Sequence, residues 1–365
     1  MTRRDDSGFS LVEMLVSMTV MLIVTGSVFW LVDPGQSISR AQPEAADMQQ
    51  RLRVSADMLE KDLIMAGAGT YSGSIAGSLA NFFPPIMPHR TGALNPDPEM
   101  SFFPDRITIS YVPNTAAQTN VRDPMPQPSS EIKVDPQPGC PINDQLCGFR
   151  VGMRVIIFDD TGAYDFFTIT EVQEDALHLQ HRPPNPDFSK AYTPVEHARI
   201  AMVETHVYYL DAAAVQLRHY DGWIQDLPLA DNAVALEFRY FGDPNPPLLP
   251  RPLTGQSNCI LDVAGNPTLP TLPSGGQSLI ELPAAMLRDG PTCGLAPNRF
   301  DADLYRVRKV SVRLRMQAGP GDLRGTNPPG WTLFQNPGQS SSAYKNVPDF
   351  EMTYEVAPRN LNLAR

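Results

Sequence analysis

From Phe9 to Val32 the chain runs through twenty-four residues with a single ionisable group, Glu13. Ser10, Ser17, Thr19, Thr25, Gly26 and Ser27 are the only other residues that dilute a series of Leu, Val, Met, Ile, Phe and Trp. As a helix rising about 1.5 Å per residue, this run crosses a hydrocarbon core of about 30 Å. The rest of the chain must therefore be organised around a segment that leaves water. A secretory signal peptide fits poorly, because its apolar region is usually about 7 to 15 residues and ends at a small-residue cleavage site. This run is longer and ends in Trp30-Leu31-Val32-Asp33-Pro34.

Glu13 lies just inside the run. A carboxylate in hydrocarbon is costly and usually faces a partner or a cavity, whereas near the headgroups it reaches water and the cost falls. Charge alone leaves both readings open, and the neighbouring residues decide between them. Gly8 is followed at once by Phe9, Glu13 stands at the fifth place counted from that Phe, and a long apolar helix lies behind. This composite resembles the processing motif of type IV prepilins and type II secretion pseudopilins. The resemblance implies that a prepilin peptidase cuts between Gly8 and Phe9 and methylates the new amino terminus on Phe9. It also implies that Glu13 pairs with the amino terminus of a neighbouring subunit and sets the register of a helical filament. Such a pairing is physically reasonable: a free terminal amine titrates at about 7.7 to 8.0, and opposite charges attract more strongly where water is scarce. Arg3 and Arg4 in the polar leader place it on the cytoplasmic side, so the body faces outward.

The composition suits an exported body. With 365 residues, 42% of them hydrophobic, the chain is large enough for a sizeable core. A net charge of -11 argues against a general binder of nucleic acid or anionic lipid. The 37 prolines cluster between elements, as in a β-rich fold with long loops. Cys140, Cys147, Cys259 and Cys293 form an even set. Two disulfides are expected on the exported side, most simply Cys140 to Cys147 and Cys259 to Cys293, with the other pairings left open. Their spacings form no CxxC set and no histidine is close to them in sequence, so no metal site is expected there.

Asp33-Pro34-Gly35 predicts an interruption of the helix just outside the membrane. Helix resumes near Pro43, a favourable first-turn residue. Met48, Leu52, Leu59, Leu63 and Ala66 then form an apolar stripe, with Gln49, Arg53, Asp57, Glu60 and Lys61 elsewhere and Gly67 and Gly69 as the stop. Residues 71–100 read as a covering loop. Strand signals follow at 106–112, 153–158, 164–172, 176–180, 197–210, 215–220, 233–241, 304–316 and 350–356. Their alternation, such as Ile107 and Ile109 against Thr108 and Ser110, predicts antiparallel sheet with one wet face. Asp159-Asp160-Thr161-Gly162 and Tyr220-Asp221-Gly222-Trp223 read as hairpin turns. The fold class is therefore α+β: a long N-terminal transmembrane and amphipathic helix packed on an antiparallel β-sheet head with long Pro- and Gly-rich loops. The expected organisation is a leader at 1–8, a transmembrane or filament-core helix at 9–32, its amphipathic continuation at 33–69 and a head at 70–365. The head carries a disulfide-closed insertion at about 242–298. The long helix, Ala235-Leu236-Glu237-Phe238-Arg239-Tyr240, Val310-Ser311-Val312-Arg313-Leu314-Arg315 and the closing Tyr354-Glu355-Val356-Ala357-Pro358-Arg359-Asn360-Leu361 resemble the large minor pilins of the PilW type.

No catalytic site, cofactor or metal is expected. The six histidines are scattered, and His178 and His181 stand on opposite faces of a strand-like segment. No Gly-rich phosphate loop, Gly-x-Ser-x-Gly elbow or HExxH occurs. The adjacent Asp159 and Asp160 read as a solvated turn rather than an acid–base pair. Arg306, Arg308, Lys309, Arg313 and Arg315 form one basic run, read mainly as a wet strand face. Lys309, Arg313 and Arg315 are weak candidates for a DNA contact, with no interleaved aromatic residue to stack bases. The expected function is structural: a minor pilin processed in the inner membrane, head in the periplasm and later on the cell-surface pilus. Its partners would be other minor and major pilins, the prepilin peptidase, the assembly platform and the lipid bilayer. A minor pseudopilin of type II secretion and a ligand-binding tip adhesin are the alternatives.

Overall fold

A computed structural model of the chain describes residues 10–69, 78–113, 117–137, 139–181, 187–320, 323–324 and 347–362, and within 30–40 it describes the backbone alone. The chain divides into two units, Met1–Arg51 with Gln317–Phe350, and Leu52–Met316 with Glu351–Arg365.

One α-helix occupies Leu11–Met65. The interruption expected at Asp33-Pro34-Gly35 does not occur, and Pro43 lies inside the helix rather than at a new start. A proline removes one backbone hydrogen bond and crowds the preceding turn, at a cost of about 3 kcal/mol. Two such losses in a helix of 55 residues do not break it. In the first unit, Met48, Ala318, Leu323 and Val347 form a small buried cluster, with Ala41, Ala45 and Phe350 against it. Glu44 accepts the Gly319 amide at 2.6 Å and pairs with Arg51 at 3.1 Å.

In the second unit the helical stripe is buried as its spacing demands. Leu52, Ala56, Leu59, Leu63 and Ala66 are covered, while Arg53, Asp57, Glu60 and Lys61 face water. Gly67, two residues past the helix end, takes φ of +71°, and at Gly69, with φ of +69°, a Cβ would lie 2.8 Å from that of Val112, so both backbone angle and space require glycine there.

Five strands form one antiparallel sheet in the order Ile86–Met87, Arg106–Tyr111, Glu204–Asp211, Gln216–Tyr220 and Asp226–Asp231. A second sheet of four runs Ile280–Leu282, Ala233–Gly242, Val307–Met316, Phe350–Val356. In each sheet one strand pair carries a long excursion. Tyr111 is opposite Glu204, so everything from 112 to 203 leaves and returns at one end of a two-strand ladder. Gly242 is likewise opposite Val307, so 243–306 does the same from the second sheet. Closing a loop costs entropy that grows only with the logarithm of its length, and ends already held by a ladder add little further cost.

The first excursion is a lobe with its own core. Strands Gln118–Asn120, Arg199–Met202, Arg154–Phe158 and Tyr164–Thr168 make a four-stranded sheet, and Ile132–Lys133, His178–Gln180 and Glu171–Gln173 a three-stranded one. Val155, Ile157, Phe167, Leu179, Tyr192 and Ile200 are among the buried residues between them. The long strands read at 164–172 and 197–210 are each two shorter ones, because Ile169-Thr170 and Val203 carry the chain from one sheet to the next.

The wet face expected opposite Ile107 and Ile109 is absent: Thr108 and Ser110 are 2% and 1% exposed. Residues 78–105 cover that face. The Thr108 hydroxyl donates to the His89 carbonyl at 2.6 Å and accepts from the Thr91 amide at 3.1 Å. The covering loop adds Leu79, Phe82, Phe83, Ile86 and Met87 to the core.

Candidate functional site

The apolar segment Leu11–Phe29 is long and apolar enough to cross a membrane, and none of it is buried by the other described residues. Leu11, Leu15, Met18, Met21, Leu22, Ile23 and Phe29 point in all directions around the helix and are each more than half exposed. A helix apolar all round belongs in lipid or among other apolar helices. Glu13 stands at its first turn. The Ser10 amide donates to the Glu13 carboxylate at 3.0 Å and the Glu13 amide donates to the Ser10 hydroxyl at 3.2 Å. This is a reciprocal capping box, Ser-x-x-Glu, which satisfies two of the amides that a helix start leaves unpaired. In the single chain Glu13 is thus held at the positive end of its own helix. The sequence carried this signal in Ser10 and Glu13, three apart. Gly8 and Phe9 lie outside the described residues.

The cysteines pair as Cys140–Cys147 and Cys259–Cys293, with Cα atoms 5.6 and 5.1 Å apart. The second bridge ties two parts of the 243–306 excursion together. Arg306 ties them again. Its side chain is buried beside Asp303 and donates to the Pro244 carbonyl at 2.9 Å and the Pro270 carbonyl at 2.6 Å. Arg306 is therefore no member of an exposed basic row; the short helical turn Ala302–Arg306 turns it inward. Of the rest of the row, Lys309 pairs with Glu355 at 2.7 Å and Arg313 with Glu237 at 3.2 Å. Arg315 is buried, with Glu351 at 3.9 Å. Three carboxylates thus offset the charge that was to meet phosphates.

Asp159 and Asp160 are not solvated. Asp159 is fully buried with Lys190 at 2.7 Å, and Asp160 holds His197 at 2.6 Å and Arg199 at 2.9 Å. The turn itself is as read, joining Arg154–Phe158 to Tyr164–Thr168, but the lobe closes over it. His178 and His181 do not meet: the first lies 3.1 Å from Glu131 and the second bonds the Ser130 carbonyl at 3.0 Å.

A polar cluster that sequence reading missed locks the helix to the five-stranded sheet. Asp62, 5% exposed, sits on the helical stripe between Leu59 and Leu63. Tyr208 donates to it at 2.6 Å, Tyr111 at 3.3 Å, and His206 Nδ1 lies 3.3 Å away. His206 Nδ1 is 2.8 Å from His219 Nε2, and its Nε2 is 3.0 Å from the Tyr111 hydroxyl. The donor atoms of Asp62, His206 and His219 fall within 4.8 Å of one another, the size of a metal site. The 2.8 Å between ring nitrogens is that of a shared proton rather than of two ligands around an ion. Burial, with the charge of His206, lowers the His219 pKa; burial, with the charge of Asp62, raises those of Tyr111 and Tyr208. The readable signal was an aspartate on an apolar helical face.

Residues 3–29 match the family model described as the prokaryotic N-terminal methylation motif. No curated protein and no solved structure matches the chain. Motif and apolar helix together support a membrane-anchored, type IV pilin-like prepilin or pseudopilin, a structural rather than enzymatic family whose processing and assembly involve a peptidase and other pilins.

Proposed function

We propose that the chain is a minor pilin of the PilW type, made as an inner-membrane precursor and cut between Gly8 and Phe9, with methylation of Phe9. It then joins a tip or initiation complex with other minor pilins and promotes assembly of the pilus, for adhesion, twitching movement or DNA uptake. The observation that carries this reading is the methylation motif at residues 3–29, whose apolar segment Leu11–Phe29 is covered by none of the other described residues. The head's size and its two long excursions suit a low-copy subunit better than a repeating building block.

In this reading Glu13 exchanges partners. In the membrane it caps its own helix; in the filament it pairs with the amine of the neighbouring Phe9 and so registers one subunit against the next. A cap contributes about 1 kcal/mol, a small loss against a charge pair formed where water is scarce. Glu13→Ala is expected to insert into the membrane normally and to enter sheared filaments at a small fraction of the wild-type level, measured by immunoblot of filament and membrane fractions. Wild-type incorporation of the variant would remove the registering role. A knockout that abolishes secretion and spares piliation would move the chain to the pseudopilins.

A further inference from the structure

The head holds a cavity of about 200 Å³ between the covering loop 88–99, the lobe strands and the turn at Trp223. Most charges in its wall are already matched. Arg90 pairs with Asp226 at 2.9 Å, and Arg299 holds Glu99. Asp97 accepts the Arg90 amide at 2.7 Å and faces Arg106, while Asp165 is saturated by the amide and hydroxyl of Ser189, Tyr192 and Asn298. Arg154 is different. It has no ion pair among the described residues, and its Nε is buried without a hydrogen-bond partner. Its guanidinium carbon lies 4.7 Å from the Trp223 ring centroid and 5.7 Å from that of Phe166. Its backbone is fixed, since Arg154 opens a central lobe strand opposite Thr168 and its carbonyl takes the Val203 amide at 3.1 Å.

A half-buried cation held by ring faces, with no carboxylate paired to it among the described residues, is an arrangement that an anion relieves. The planar fork of arginine matches a carboxylate through two parallel bonds. The rest of the wall narrows the choice. Asp97, with only the Arg90 amide and Arg106 on it, retains lone pairs that accept hydroxyl protons, whereas a purely apolar acid would bury them without return. The volume admits one six-membered ring. We infer that this cavity is a binding site for an acidic monosaccharide unit of the hexuronate class, its carboxylate on Arg154, its ring face on Trp223 and its hydroxyls on Asp97. The site belongs to the head alone and does not depend on whether the chain is a pilin.

The test is isothermal titration calorimetry on the full chain in detergent micelles, with galacturonate, galactose and benzoate as probes. Galacturonate is expected to bind saturably. Arg154→Gln should weaken it at least about ten-fold without lowering the melting temperature, because the substitution removes a half-buried charge that has no ion pair among the described residues. Galactose, lacking the carboxylate, should lose a similar factor, and benzoate, lacking the hydroxyls, should bind more weakly than galacturonate. If Arg154→Gln does not fold, Trp223→Ala serves as the second variant and should also weaken binding. Absence of saturable galacturonate binding, equal binding by the folded variant, or benzoate binding as tight as galacturonate would each overturn the assignment.

Discussion

Replacing Arg306 by methionine tests whether the 243–306 excursion is held by its internal contacts. Arg306 is 1% exposed and Asp303 4%. Methionine preserves much of the buried stem, so packing changes little, but Asp303 is left as a buried carboxylate without its cation. Breaking a buried pair from one side costs about 3 to 5 kcal/mol, and the Pro244 and Pro270 carbonyls lose their donor as well, about 1 to 3 kcal/mol for each group left dry. These costs overlap, so the expected loss is about 3 kcal/mol or more. Burial already pushes the Asp303 carboxyl up to about 6, against the pull of Arg306. Without Arg306 it rises further, so the folded variant takes up a proton at a pH where the unfolded chain does not. Its deficit therefore shrinks as pH falls from 7 to 5. Urea unfolding of the full chain in detergent, followed by tryptophan fluorescence at both pH values, measures this. Asp303→Asn with Arg306→Met should recover part of the loss. A loss below about 1 kcal/mol, the ordinary size for any substitution, or one that is the same at both pH values, would refute the reasoning.

Two further outcomes follow from the same contacts. Burial lowers the His219 pKa, so the unfolded chain binds that proton first as pH falls; the stability tied to neutral His219 is complete above about 6.5 and is lost below it. Relative to His219→Gln, the wild type should lose stability between pH 7 and pH 5, as read by paired urea titrations; a pH-independent difference would contradict the shift. Replacing Cys259 and Cys293 by serine should cost about 2 to 4 kcal/mol and speed proteolysis within 243–306, measured by mass spectrometry of timed digests, because the bridge spans a separation of 34 residues.

The helix and much of the sheet were legible in the sequence because their periods are strong: the stripe from Met48 to Ala66 is buried residue for residue. The motif around Glu13 was legible because it is composite and local. What stayed hidden depends on pairing across long separations. Nothing local places Asp62 beside Tyr111, His206 and His219, and nothing in the alternation of 106–111 reveals that residues 78–105 cover its polar face. The lobe at 117–202 read as a chain of strands, since its separation from the five-stranded sheet lies in the ladder between Tyr111 and Glu204. Pro228 hid the strand Asp226–Asp231, which tolerates a proline by lying at the sheet edge. Arg154 was invisible for the opposite reason: what sets it apart is that it has no ion pair among the described residues.

The most direct test of the pilin reading is the mass of the mature amino-terminal peptide from cells that carry the prepilin peptidase. A peptide beginning at methylated Phe9 is the predicted result and places the chain in the pilin and pseudopilin machinery. A peptide that still begins at Met1 would contradict it, and would make the apolar helix an ordinary anchor for the β-rich head.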